Sequence, residues 1–249
     1  MKAMILAAGK GTRLQPITLA LPKALVPVDN IPALEWTIQR LKYLGVTSVI
    51  LNTHYLADQI KQYLKNRPAD GLKIETSHEE EILGTGGGLL KTLDFWDDSP
   101  FFLHNADIFC NADLKQAYQY HLQAQNLATL CVQERETQTR LLVDESGFLC
   151  GIHYYKKDLR VQTRPPEGKV YEAGFSGIHV ISPSIFPVMT ESGSFSIIDT
   201  YLRLSHMKYP VRCFNTGSCY WKDIGTIQKL EEFRQDWITH PEWFACYHP

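Results

Sequence analysis

The chain has 249 residues, 44% of them hydrophobic, and a formal net charge of -2 at pH 7. That length and apolar content fit one large α/β domain with a substantial core, and the near-neutral balance excludes bulk attraction to nucleic acid or to a membrane surface. No apolar stretch approaches the length needed to span a bilayer, and the run Ala3–Ala8 is too short for a signal-peptide core and is broken by Gly9-Lys10. Lys2–Ala8 reads as a buried strand. Leu34, Ile38 and Leu41 share one face of a helix predicted from Ala33 to Leu44, with Gly45 as its stop. Thr47–Asn52 reads as a strand, and Leu56, Ile60 and Leu64 recur every four residues to give a second helix. Leu72–Thr76 is a third strand, Gly88–Leu93 a short helix after a glycine loop, Phe101–Asn105 a fourth strand and Leu114–Ala124 a helix. This alternation predicts right-handed βαβ units and a mainly parallel sheet.

The second half changes character. Ala128–Gln133, Arg140–Val143, Phe148–His153 and Gly174–Ile181 read as strands with few helices between them, which predicts an added antiparallel section. Tyr155–Val170 is polar, contains Pro165-Pro166 and reads as a loop over the site. Ile197–Ser205 is a short helix, Val211–Phe214 and Tyr220–Asp223 are strands, and Ile227–Thr239 is the last helix. The expected fold is a Rossmann-like mixed, mainly parallel sheet flanked by helices. It forms one domain over 1–249, made of a first half over 1–125 and a second half over 126–249 that ends in the last helix. Ligands of such sheets bind outside the carboxyl ends of the strands. The six cysteines form no CxxC pair and no zinc-like spacing, so reduced thiols and a cytosolic location are expected.

Most of the chemistry begins where the first strand ends. Ala7-Ala8-Gly9-Lys10-Gly11-Thr12-Arg13-Leu14-Gln15-Pro16 is followed by Pro22-Lys23-Ala24-Leu25-Val26-Pro27-Val28. Gly9 and Gly11 let the backbone turn sharply and approach an anion, and successive N–H groups can point at phosphate oxygens. Arg13 adds a planar fork of donors and Lys23 a mobile point charge. A dinucleotide fingerprint is excluded because its third glycine position holds Leu14 and prolines come soon after; the P-loop spacing is absent.

Two strands end in aspartate: Phe101–Asn105 leads to Asp107, and Tyr220–Lys222 to Asp223, with Gly225-Thr226 just beyond. Two carboxylates suit Mg²⁺, which takes one or two of them plus phosphate oxygens and water; the alternative is that each caps the next loop or helix. Glu81–Leu89, with Gly84, Thr85, Gly86 and Gly87, is a second glycine loop. Its backbone could read a base edge, or it could be a helix N-terminus needing tight packing. His104 reads as a packed strand residue and His54 as a loop residue. Trp237, Trp243, Phe244 and Tyr247 read as core, with a dimer contact as the alternative.

Leu6–Val28, with the later motifs, resembles the signature of the sugar-1-phosphate nucleotidyltransferases, and the resemblance runs from Met1 to about Arg234. Phe175-Ser176-Gly177-Ile178 is similar to the bacterial N-acetylmuramate-1-phosphate uridylyltransferase type. The resemblance implies a nucleotide sugar and pyrophosphate made from a nucleoside triphosphate, UTP for that subgroup, and a sugar 1-phosphate. It implies Arg13 and Lys23 as catalytic residues. Ala7, Ala8, Gly9, Gly11, Thr12, Arg13 and Gly84–Gly87 would bind nucleotide, and Asn105, Glu172, Ser176 and Gly177 the sugar. Asp107 and Asp223 would hold Mg²⁺. Two departures stand out: Ala106 replaces a frequent glycine, and the lysine that often meets the sugar phosphate is absent, Thr163-Arg164-Pro165 being nearest. Rival readings are a guanylyl-, cytidylyl- or thymidylyltransferase, a non-catalytic nucleotide-sugar-binding relative, and a glycosyltransferase, whose usual Asp-x-Asp is missing. No nucleic-acid or membrane partner is expected, and the chain would act as a monomer or homodimer in cell-wall precursor synthesis.

Overall fold

A computed structural model describes residues 1–247. The chain begins with β1 (Lys2–Leu6), α1 (Ile17–Ala20), β2 (Pro27–Val28), β3 (Ile31–Pro32), α2 (Ala33–Tyr43), β4 (Ser48–Thr53), α3 (Ala57–Asn66) and β5 (Lys73–His78). It continues with α4 (Gly84–Leu90), β6 (Phe101–Asn105), β7 (Ile108–Cys110), α5 (Leu114–Gln123), β8 (Ala128–Gln133), β9 (Thr139–Asp144) and β10 (Leu149–Tyr154). Last come β11 (Leu159–Gln162), β12 (Val170–Ile181), α6 (Ile197–His206), β13 (Val211–Asn215), β14 (Trp221–Asp223) and α7 (Ile227–Thr239).

These elements pack as two units that do not coincide with the halves of the chain. The first holds Met1–Leu83, Leu103–Ala112 and the chain from Cys219 onward; the second holds Gly84–Phe102 and Asp113–Ser218. In the first unit β4 pairs in parallel with β1 on one side and β5 on the other, with Met4 opposite Ile50 and Ile50 opposite Glu75. Ala3, Met4 and Ile5 are fully buried, which is why this short apolar run folds as a central strand. α2 buries Leu34, Ile38 and Leu41 as their spacing predicts, and Gly45, at φ 87°, lies just past its end. β14 pairs antiparallel with β7, and Thr226 caps α7 by accepting from Lys229 N–H at 3.3 Å.

An aromatic core lies beneath these pieces. Trp36, Phe109, Phe233, Trp237, Phe244 and Tyr247 are buried together with Leu14, Val26 and Ile224, which flank the candidate site residues in sequence. Trp237 stacks on Phe244 with ring centroids 4.5 Å apart. Tyr247 Oη accepts from Cys110 N–H at 2.9 Å and lies 3.1 Å from Cys110 O, to which it donates. The C-terminal aromatics are therefore core, and they fix the elements that carry the site.

In the second unit β8 lies between β12, antiparallel, and β13, parallel. β9 joins β12 and β10, and β11 extends this antiparallel section. α6 packs on β10, and α5, capped by Asp113, packs on β8. The mixed, mainly parallel sheet flanked by helices that the sequence predicts is the one that forms.

Two local expectations are corrected. Tyr155–Val170 is not a loop throughout: β11 forms within it, where the short alternation Leu159-Arg160-Val161-Gln162 pairs antiparallel with β10. The second glycine loop does not precede its helix but begins it, since α4 starts at Gly84 rather than Gly88.

Candidate active site

Arg13, Lys23, Asp107 and Asp223 converge in the first unit. Lys23 Nζ forms an ion pair with Asp107 Oδ2. Asp107 and Asp223 are neighbours across the β7–β14 ladder: Ile224 N–H donates to Asp107 O at 3.0 Å, and Asp223 faces Ile108. The missing side chain of Gly225 marks the centre. A Cβ there would lie 2.8 Å from Asp223 Oδ1, 3.1 Å from Arg13 Nη2 and 3.5 Å from Lys23 Nζ. Arg13, Lys23 and Asp223 thus meet at one small cradle, and Asp107 joins them through its ion pair with Lys23.

Local sequence places each of them. Gly11 takes φ 63°, and a Cβ on it would press on Lys23 and Thr18 at 3.0 Å, so glycine lets the loop lie against both. Thr18 Oγ1 donates to Gly11 O at 2.8 Å, and buried Leu14 pins the far side of the turn. Lys23 opens a 3₁₀ turn whose Ala24 and Leu25 are buried. Gly9 and Thr12 stay exposed on the same loop, while Ala7 and Ala8 are buried at its base.

Lys229, at the first turn of α7, pairs with Asp223 Oδ2. Burial alone would raise the Asp223 carboxyl, but Lys229, the Gly225 N–H and Lys23 outweigh it and hold the group below its usual range. Two part-buried carboxylates are hard oxygen donors and leave most of a Mg²⁺ shell for phosphate and water. The cradle at Gly225 gives room beside Asp223. Among the described residues no group of three or more His, Cys, Asp and Glu side chains is placed to hold a metal, so further ligands would have to come from substrate. The residues present fit such an ion.

The second glycine segment is built by packing. In the second unit, a Cβ on Gly86 would fall 2.1 Å from the Phe195 ring, and one on Gly84 would fall 2.4 Å from Phe195 O. Gly86 N–H donates to Phe195 O at 3.0 Å, and Thr85 Oγ1 accepts from Ile197 N–H at 2.9 Å. Gly87 O accepts from Lys91 N–H just past the end of the helix. The helical turn, not loop flexibility, sets this backbone.

Of the residues expected to meet the sugar, Asn105 ends β6, half-buried. Glu172, Ser176 and Gly177 lie on β12 in the second unit. Glu172 accepts from His153 at 3.0 Å and pairs with Tyr155 and Arg160. Gly177, at φ 74°, falls where the β12–β8 register shifts, and Ser176 beside it is buried. Arg164 stands over the Phe148 ring at 3.7 Å, with Arg212 at 4.0 Å from the same ring. That cation–π packing occupies the arginine nearest to the missing lysine's position. Sequence reasoning missed Lys229 and Glu79. Lys229 has a weak signal, a cation in the first turn after Gly-Thr; Glu79 sits in Glu79-Glu80-Glu81 and reads as a solvated run.

The paired cations and carboxylates of Lys23–Asp107 and Lys229–Asp223 have the charges that phosphates and a cation would meet. The chain belongs to the nucleotidyl transferase family, whose profile matches residues 2–239. It is 29% identical over 263 residues to a mannose-1-phosphate guanyltransferase beta-A from Xenopus laevis, covering 98% of this chain and 68% of that protein. It is 28% identical over 240 residues to a UTP–glucose-1-phosphate uridylyltransferase from Synechocystis, covering 91% and 61%. Among solved structures, HddC from Yersinia pseudotuberculosis complexed with GMP-PN has a TM-score of 0.72 at 24% identity, covering 95% of this chain and 99% of that one, a likeness of fold. The expected kinship to the muramate uridylyltransferase type is corrected. It rested on four residues, Phe175–Ile178, whereas the similarity to mannose-1-phosphate guanylyltransferases runs the length of the chain.

Proposed function

We propose that the chain transfers a nucleotidyl group to a sugar 1-phosphate, releasing pyrophosphate. The observation that carries this reading is the meeting of Arg13, Lys23 and Asp223 around Gly225, with Asp107 joined to them through Lys23. An oxygen of the sugar phosphate attacks the α-phosphorus, and the bond from that phosphorus to the bridging oxygen breaks. The nucleophile is already an anion at neutral pH, so the residues have position and charge to supply rather than a base. Arg13 holds the leaving β- and γ-phosphates. Lys23 lies between the α-phosphate and the incoming phosphate, where negative charge gathers. Asp107 and Asp223 would hold Mg²⁺, which would supply charge neutralisation to the reacting phosphates. Ala7, Ala8, Gly9, Gly11, Thr12, Arg13 and Gly84–Gly87 contact the nucleotide; Asn105, Glu172, Ser176 and Gly177 contact the sugar. Cysteines that are all free among the described residues agree with a cytosolic enzyme.

The base we favour is guanine and the acceptor a mannose-type hexose 1-phosphate, supported by the guanylyltransferase relative. The second reading is UTP with a hexose 1-phosphate such as glucose 1-phosphate, supported by the uridylyltransferase relative. One assay decides between them: five nucleoside triphosphates against a set of sugar 1-phosphates, scored by Mg²⁺-dependent pyrophosphate release. GTP with mannose 1-phosphate should turn over fastest. UTP-selective turnover overturns the base assignment, and no turnover with any pair overturns the reaction.

A further inference from the structure

A buried hydrogen-bond chain links the bases of the two glycine segments. Ala7 N–H donates to Asn52 Oδ1 at 2.7 Å, and Asn52 Nδ2 donates to Glu79 Oε1 at 2.8 Å. Glu79 Oε2 accepts from Leu83 N–H at 2.9 Å. Ala7 stands just before Ala8-Gly9, and Leu83 just before Gly84. Asn52 is 3% exposed and Glu79 1%. Among the described residues no cation pairs with Glu79. A buried carboxylate held only by neutral donors costs free energy that apolar packing would avoid.

Counting donors explains why a carboxylate stands there. Both ends of the chain are backbone N–H groups. An amide side chain accepts on one atom and donates from the other, so Asn52 only passes a donor along. Closing on a second N–H requires a group that accepts on both atoms, and a carboxylate is that group. We propose that Glu79 is a positioning residue which, through Asn52, fixes the backbone at Ala7 and Leu83 and so presents the glycine segments to the nucleotide. This rests on the assignment of those segments to a nucleotide site.

The same counting designs the test. Glu79→Gln leaves two N–H groups facing each other however the amides turn: at Leu83 if Asn52 keeps its orientation, at Ala7 if it flips. Asn52→Asp sets two carboxylates face to face. The double variant N52D/E79Q moves the charge one residue along and again accepts at both ends. Glu79→Gln should raise the KM for the nucleoside triphosphate about tenfold, the effect of one unsatisfied buried donor, and Asn52→Asp should raise it through the repulsion of two adjoining carboxylates. The KM for the sugar 1-phosphate should stay as it is. The double variant should return the nucleotide KM to within about twofold of wild type, the coupling expected of residues in one network.

A merely structural Glu79 would instead lower the thermal midpoint and kcat and leave the nucleotide KM alone. That result overturns the proposal, as does a double variant whose KM is the product of the singles. Amide hydrogen exchange keeps the relay testable apart from activity. Exchange at Leu83 or at Ala7, whichever N–H is left facing a donor, should quicken in Glu79→Gln and recover in the double variant. Unchanged exchange in Glu79→Gln overturns the relay, whereas wild-type protein inactive with every triphosphate overturns only the functional reading.

Discussion

Lys23 is held before any substrate arrives. Pro22 precedes it, Ala24 and Leu25 are buried behind it, and Asp107 takes its ammonium. A lysine so fixed loses little further freedom when it meets a phosphate, which is the condition under which one charge acts most strongly on a transition state. The ion pair itself is partly open to solvent and contributes only about 0–1 kcal/mol to stability. Lys23→Ala should therefore lower kcat on the order of 10²-fold or more while the thermal midpoint hardly moves. Steady-state kinetics beside a melting curve check both halves. A variant altered in KM alone would show that Lys23 binds substrate without acting on the reaction.

At the scale of elements, what the sequence made legible depended on whether a segment carries its own reason to form. β6, β8 and α7 form over the predicted bounds because apolar runs and a cap residue are local signals. The site was legible for a related cause: Arg13, Lys23, Asp107 and Asp223 each stand beside an apolar run or a glycine turn. Glu79 and Lys229 stand among other charges, and only the fold says which charge turns inward. α4 was misplaced because glycine is a poor helix former; its first turn exists because Phe195 packs where side chains would be. That cause can be isolated with two glycines, both in the left-handed region. Gly71, at φ 84°, has nothing within 4 Å of an added Cβ, whereas Gly84, at φ 70°, would drive one into Phe195 O. Gly71→Ala should cost about 1–2 kcal/mol in backbone strain. Gly84→Ala should cost about 1–3 kcal/mol more, since the Phe195 backbone must shift. Urea midpoints of the two variants test this, and equal losses would remove packing as the origin of α4.

Across the whole molecule, two buried histidines tie stability to pH, one in each unit. His104 donates from Nδ1 to Asn105 O at 2.8 Å, and its buried Nε2 has no partner among the described residues. A proton on Nε2 would put an unsatisfied donor in the core. His121 is matched to its neutral form. Ser182 Oγ donates to Asn126 O, so it accepts from His121 Nε2, and in that neutral tautomer Nδ1 accepts from Thr129 Oγ1. Burial pushes both imidazoles from 6.5 down to about 4. Because the folded value lies below the unfolded one, the unfolded chain takes up the protons first as pH falls. The stability these groups carry is complete above pH 6.5 and is lost progressively towards pH 4, by at most about 1.4 kcal/mol per pH unit for each histidine. The depressed carboxyls of Asp223 and Glu35 act in a different window. Their contribution is present above the ordinary carboxylate range and disappears only below it, so a loss between pH 7 and pH 5 belongs to the histidines. Urea unfolding at pH 7, 6 and 5 should show midpoints that fall steadily, with both units affected. A midpoint constant over that interval would mean that His104 and His121 take up protons inside the folded protein, against the hydrogen bonds that hold them neutral.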